Sequence, residues 1–311
     1  MKSPLLAALG LAAALVVGAS ASHAAYPGPN GLIAFRAITD DGSSQIFTIN
    51  PDTLAQVQLT HVDGDAQGAP HWSPDSSMIT FEWDPPNGCA QVATMDAHGG
   101  NLTFLPLDNG DVCEGTPTFS ADGQRLFYEG YNGHRRDAIW SMNLDGSDRR
   151  LVTACEGRGV SDPETSPDGQ MLAFTCFSRT GAALFDSRID GSHIRQLTPY
   201  SLQVGVHEDW SPDSRRIMFI STPGEGTPDA QINTATIAAD GSDLRWVTNY
   251  PAGGLRAFGN SYSPDGRWIV LRIENGNLNA LFKIHPDGSG LTQITQYSTF
   301  RPRGMVWGSA Q

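Results

Sequence analysis

A short turn recurs through this 311-residue chain, and its last copy is divided between the two ends. Intact copies read Trp72-Ser73-Pro74-Asp75-Ser76, Phe119-Ser120-Ala121-Asp122-Gly123, Thr165-Ser166-Pro167-Asp168-Gly169, Trp210-Ser211-Pro212-Asp213-Ser214 and Tyr262-Ser263-Pro264-Asp265-Gly266. A sixth begins at Trp307-Gly308-Ser309 and resumes at Pro29-Asn30-Gly31-Leu32-Ile33-Ala34-Phe35. The corners recur every 45 to 52 residues, the period of a propeller blade rather than of a helical repeat. Pro presets φ at the first corner, Asp bonds back to nearby backbone and Gly tolerates positive φ, so each copy reads as a β-hairpin. A repeat that wraps around the termini implies a closed ring.

A second segment follows in phase, as in Ala138-Ile139-Trp140-Ser141-Met142-Asn143-Leu144-Asp145-Gly146-Ser147 and Leu281-Phe282-Lys283-Ile284-His285-Pro286-Asp287-Gly288-Ser289. It leads to short strands ending Leu59-Thr60, Leu197-Thr198, Val247-Thr248 or Ile294-Thr295. Two hairpins per repeat make four strands, and six repeats predict an all-β, six-bladed β-propeller of four-stranded antiparallel blades. Residues 301–309 are expected to form the innermost strand of a blade completed by residues 31–60, so that strands from both ends pair and no open edge remains.

The pairing of Trp-Ser-Pro-Asp-Gly with a downstream Asn-x-Asp-Gly-Ser and Leu-Thr resembles the TolB-like propeller repeat, also described as a PD40 or WD40-like repeat, over residues 26–307. TolB carries an α/β domain ahead of its propeller. Here the repeat is expected to begin directly after the leader, so contacts made through that domain do not transfer. The prolyl-peptidase-like enzymes that fuse such propellers to a hydrolase domain are matched only in the propeller.

Residues 1–24 read as a signal peptide: Lys2, an apolar run over 5–19, and Ser22-His23-Ala24 as the cleavage signature. Residues 25–311 form the propeller, expected to be secreted or periplasmic, monomeric and without a membrane span. A net charge of −13 argues against nucleic acid or anionic lipid as partner. Cys89, Cys113, Cys155 and Cys176 suit an oxidising compartment. Cys89–Cys113 and Cys155–Cys176 is the simplest pairing of the three that four cysteines allow, and a four-thiolate zinc site is the alternative.

No nucleophile elbow, H-E-x-x-H or phosphate-binding glycine loop is present. Unusual residues collect instead ahead of the landmark position Trp72, Phe119, Thr165, Trp210, Tyr262 or Trp307 of each blade: His71, Glu114, Glu164, the run His207-Glu208-Asp209, and Arg301 with Arg303. All eight are expected at the loop-rich mouth of the central channel, where they are candidate ligand-binding residues. His207 is the one weak metal candidate, so no cofactor is expected beyond an optional channel ion, and inter-blade bonding is the competing role for these side chains. The acidic runs Asp63-Gly64-Asp65 and Asp108-Asn109-Gly110-Asp111 lack the calcium-loop pattern. The Pro-stiffened loop Trp83 to Cys89 is a candidate partner surface. The expected function is a non-enzymatic exported binding or scaffold module for an envelope or extracellular protein, peptide or polymer. The alternative is a small-molecule or glycan lyase or hydrolase using His207, Glu208 and an arginine.

Overall fold

The computed structural model describes residues 26–107, 113–132, 135–157 and 159–311. The expected signal peptide and the acidic run 108–111 lie outside the described residues. Four-stranded antiparallel blades are arranged as the repeat predicts, each written here from the channel outward. Blade 1 is Arg303–Ser309, Asn30–Ile38, Ser44–Ile49 and Gln56–Gln58, and blade 2 is Asp65–Trp72, Met78–Asp84, Gln91–Asp96 and Thr103–Phe104. Blade 3 is Cys113–Phe119, Arg125–Asn132, Arg135–Asn143 and Arg150–Thr153, and blade 4 is Gly159–Thr165, Met171–Phe177, Ala182–Arg188 and Arg195–Gln196. Blade 5 is Asp209–Trp210, Arg216–Ser221, Asn233–Ala238 and Arg245–Trp246; blade 6 is Arg256–Tyr262, Ile269–Asn275, Leu278–Ile284 and Thr292–Gln293. The ring closes as expected: Ile33 pairs with Trp307 and Ala34 with Val306.

The recurrent residues earn their places chemically. In the five intact turns the Ser hydroxyl donates to the Asp two positions on, at 2.6–2.7 Å. The same oxygen accepts the backbone N–H five positions on, at 2.9–3.0 Å. The hydroxyls of Thr60, Thr198, Thr248 and Thr295 accept the N–H of Ile46, Leu184, Thr234 and Leu281, again at 2.9–3.0 Å, pinning each outer strand to its neighbour.

Burial is concentrated between blades, with one apolar cluster in each of the six seams. Val270 and Leu281 of blade 6 pack with Phe35, Met305 and Trp307 of blade 1, for example, and Ala34 and Ile46 pack with Trp72 and Phe81 of blade 2. The other seams follow the same plan. Near the channel each seam also carries a directional bond. Trp72 Nε1 donates to the Val306 carbonyl (3.1 Å) and Thr116 N to Glu82 (3.1 Å). Thr165 Oγ1 donates to Phe119 O (2.7 Å), and Trp210 Nε1 to Glu164 O (3.0 Å). Tyr262 N donates to Asp209 (2.6 Å), and Trp307 N to Ser261 Oγ (3.1 Å). A buried donor must find an acceptor, so these bonds fix the angle between neighbouring blades.

Cys89–Cys113 and Cys155–Cys176 are disulfides with Cα separations of 5.0 and 5.8 Å, which sets aside the zinc alternative. Cys113 opens the inner strand of blade 3 and Cys176 lies within the second strand of blade 4, each slightly inside the strand rather than in a loop. Trp83 is a packing residue: its ring centroid lies 4.0 Å from that of Phe104 and its Nε1 donates to Asp63 O.

Candidate functional site

The inner strands are not regular. Register slips fall between Gln67 and His71, Gly115 and Thr118, Ser161 and Glu164, and Gly259 and Ser261. Three residues before the landmark position, Thr116, Asp162, His207 and Gly304 have φ of +42°, +52°, +78° and +56°. Such bulges re-aim side chains, here towards the axis. At Gly304 a Cβ would sit 2.7 Å from Ala69 Cα, so no other residue fits there without a shift.

The channel is closed at the turn face. Tyr26 is 6% exposed and its hydroxyl lies 3.5 Å from Ser120 O, while Gly28 N donates to Pro264 O. Ser120 and Pro264 belong to blades 3 and 6, which face each other in a six-membered ring, so residues 26–28 cross the axis. Burial, then Glu164, holds the Tyr26 phenol well above its usual pKa and keeps it neutral.

Above this stopper is a narrow cavity of about 10 Å³, barely room for one water, bordered by His71, Asp162, Glu164, His207, Glu208 and Asn260. His71 Nδ1 lies 3.3 Å from Glu164, and His207 Nδ1 lies 3.3 Å from Asp162, which also accepts the His207 N–H. Glu208 accepts from Thr175 Oγ1 at 3.2 Å. Burial, then Asp209, Glu208 and Asp162, raises Glu164 well above the carboxylate range, and burial, then Asp162, does the same to Glu208. Burial pushes Asp209 up to about 7. Burial, then His207, pulls His71 down to about 3. The His71–Glu164 contact is therefore one between neutral groups rather than an ion pair: a wet carboxylate pays little to ionise, a buried one much.

On the loop face the channel widens into a recess of about 190 Å³ between blades 5, 6 and 1, which shares His207, Asn260 and Gly304 with the narrow cavity. Its walls carry Arg36, Arg272, Arg301 and Arg303, with Val206, Ile220 and Phe258 supplying apolar surface and Glu225 an acidic rim. Glu274 accepts from Arg301 and from Arg272 (3.0 Å) and approaches Arg256 at 3.8 Å. The Arg272 guanidinium also lies 4.2 Å over the Phe258 ring and donates to Pro302 O. Burial, which Glu274 only partly offsets, and then Arg301, Arg303 and Arg36 pull Arg272 down to about 9. Arg36 is lowered by burial, then by Arg303. A broader recess of about 900 Å³ lies on the turn face between blades 5 and 6, lined by Pro212, Pro264 and Asp213. Asp213 there is already tied to Ser211 in its turn.

Of the eight residues singled out in the sequence, His207, Arg301 and Arg303 reach the mouth recess. His71, Glu164 and Glu208, one or two residues before their landmark positions, lie deeper and border the narrow cavity. Asp209 is a seam acceptor, and Glu114 leaves the channel altogether: strand alternation turns it to Arg149 at 2.9 Å, whose guanidinium also bonds Pro106 O. No group of three or more His, Cys, Asp or Glu side chains is placed to hold a metal among the described residues. Arg36 and Arg272 were missed. Register equates the second-strand residues Ile33, Ile79, Leu126, Leu172, Ile217 and Ile269 opposite the six landmarks. Three positions on, the six blades read Arg36, Glu82, Glu129, Thr175, Ile220 and Arg272. Aligned, that column shows basic residues in adjacent blades 6 and 1, and acidic ones in blades 2 and 3.

Fold and site define a six-bladed propeller with a blind polar channel open on its loop face. The chain belongs to the TolB β-propeller family: the model for the TolB beta propeller domain matches residues 106–303. It is 28% identical over 156 residues to an uncharacterized protein of Agrobacterium fabrum, covering 48% of this chain and 50% of that one. It is 27% identical over 184 residues to the Tol-Pal system protein TolB of Anaeromyxobacter dehalogenans, covering 55% and 39%. The chain thus spans half or less of the length of these relatives. Among solved structures, TolB from Acinetobacter baumannii superposes with a TM-score of 0.72 at 16% identity over 90% of this chain and 67% of that one. An oligogalacturonate lyase in complex with manganese gives 0.53 at 16% identity, over 86% and 74%. These two likenesses show the fold alone. Among the described residues no helix is long and apolar enough to cross a membrane.

Proposed function

We propose that this protein is an exported, monomeric binding propeller that presents its loop face to a protein or peptide of the cell envelope or its surroundings. The observation that carries this reading is the preformed recess between blades 5, 6 and 1, open outward and sealed from the other side by Tyr26. Membership of a family whose named relatives belong to the Tol-Pal system supports a protein partner, and the signal-like residues 1–24 support export. The lyase reading needs His207, Glu208 and an arginine to converge on one reacting atom. Glu208 instead faces Thr175 inside the blade, and His207 faces Asp162. No resident cofactor is invoked.

A photo-cross-linking amino acid placed at Glu225, on the mouth rim, or at Asp287, in an exposed turn of the opposite face, tests the reading in the native envelope. A discrete adduct from position 225 and none from 287 is expected. Adducts from 287 alone would move the binding face to the other side.

A further inference from the structure

We propose that the mouth recess is a carboxylate-binding site, in which Arg36 and Arg303 take a single carboxylate flanked by an apolar group, supplied by a peptide C-terminus or by an Asp or Glu side chain. The proposal rests on the binding reading above and names the chemistry of its ligand.

Four of the chain's 20 basic residues line one recess of a protein whose net charge is −13. Arg36 stands directly opposite Arg303 in the closing strand pair, an arrangement of like charges that a sheet disfavours unless something lies between them. Glu274 serves Arg272, Arg301 and Arg256. Among the described residues neither Arg36 nor Arg303 has an ion-pair partner, and the buried Nε atoms of Arg36 and Arg272 have no acceptor. Buried charge is normally paired, and a guanidinium fork fits a carboxylate with two parallel bonds.

Size and surroundings narrow the ligand. About 190 Å³ is below the roughly 300–1,000 Å³ of pockets that engulf a drug-sized molecule, so the recess takes an end group. Val206, Ile220 and Phe258 offer that group an apolar wall. A polyanion is disfavoured by Glu225 at the rim and by Asp162 below the waist, since like charges cost affinity. One carboxylate on an apolar neighbour satisfies both constraints.

The probes are N-acetyl-Phe-Leu as free acid, its C-terminal amide, N-acetyl-Leu-Glu amide, and trigalacturonate, titrated calorimetrically against the whole protein. Binding of the free acid with at least about tenfold loss in the amide assigns a C-terminal carboxylate; preference for the Glu peptide assigns a side chain. Either supports the proposal. Arg36→Met and Arg303→Met should each weaken binding at least about tenfold, the loss of one charge-assisted pair, while leaving the melting temperature unchanged or higher. Equal binding of acid and amide, trigalacturonate binding tighter than both peptides, or methionine variants that bind like the parent overturn it. A methionine variant that melts lower and still binds assigns the arginines to structure and overturns it too. If the position-225 adduct persists in both variants, the binding-face reading survives without the carboxylate.

Discussion

Arg36 and Arg303 face each other across the two strands that join the first blade to the end of the ring. Both are half-buried, and each lowers the pKa of Arg272. Directly opposed like charges destabilise a strand pair, so the protein holds this arrangement against its own stability. Arg303→Met is expected to raise the unfolding free energy by up to about 1 kcal/mol, read from urea denaturation at low salt. The gain should shrink in high salt as the repulsion is screened.

Closure should be all-or-none. Met305 and Trp307 pack against Val270, Leu281 and Phe35, and the strand carrying them covers an otherwise open edge. Removing residues 305–311 is expected to give insoluble protein, checked by fractionation and gel filtration. A soluble truncation with an unchanged melting temperature would break the closure argument. Trp307→Ala, which leaves the strand in place, should cost about 3–5 kcal/mol.

The channel carboxyls predict an unusual pH response. Asp209 is raised to about 7, and Glu164 and Glu208 are raised well above 4.5, all by burial first. A carboxyl with a raised folded pKa binds its proton more tightly folded than unfolded, so its stabilisation is full below the unfolded pKa and is lost as pH rises through the folded one. His71, lowered to about 3, works oppositely, but only below its unfolded value of 6.5. Below pH 6.5 the two act against each other, so the melting temperature should fall as pH rises from about 6.5 through about 7, and Asp209→Asn, which retains an acceptor for Tyr262 N, should lessen that fall.

Tyr26 is expected to behave as a core residue although it begins the described chain. Tyr26→Ala should destabilise by about 3 kcal/mol and admit solvent to the channel. Faster hydrogen exchange at Thr165 and Tyr262, with unchanged exchange in the outer strands, is the measurement that checks it.

The disulfides should act independently. Their separations of 24 and 21 residues imply about 3 kcal/mol each from restricting the unfolded chain. Cys155→Ser with Cys176→Ser should lower stability by that amount while non-reducing peptide mapping still finds Cys89 joined to Cys113.

The blades and their closure were legible because recurrent residues repeat one local job, the Ser hydroxyl in five turns and the Thr hydroxyl in four outer strands. The site was legible only in part, because its residues are departures from the repeat. Glu114 stands five residues before Phe119, ahead of left-handed Thr116, and turns into a seam, whereas Glu164 stands one before Thr165, past left-handed Asp162, and turns to the axis. Arg36 and Arg272 sit within apolar strands and carry no motif of their own. Only stacking the six second strands in register shows that their column is charged.

Because Arg303 opens the strand that completes blade 1 and Arg301 stands just before it, the recess is assembled from parts of the chain made far apart in time. Residues 30–58 are synthesised early and wait with one arginine of the cup, while its partners follow after all five other blades. No nascent or partly folded chain can display the assembled recess. Recognition at this mouth would therefore report on maturation itself, answering only to molecules whose ring has already shut.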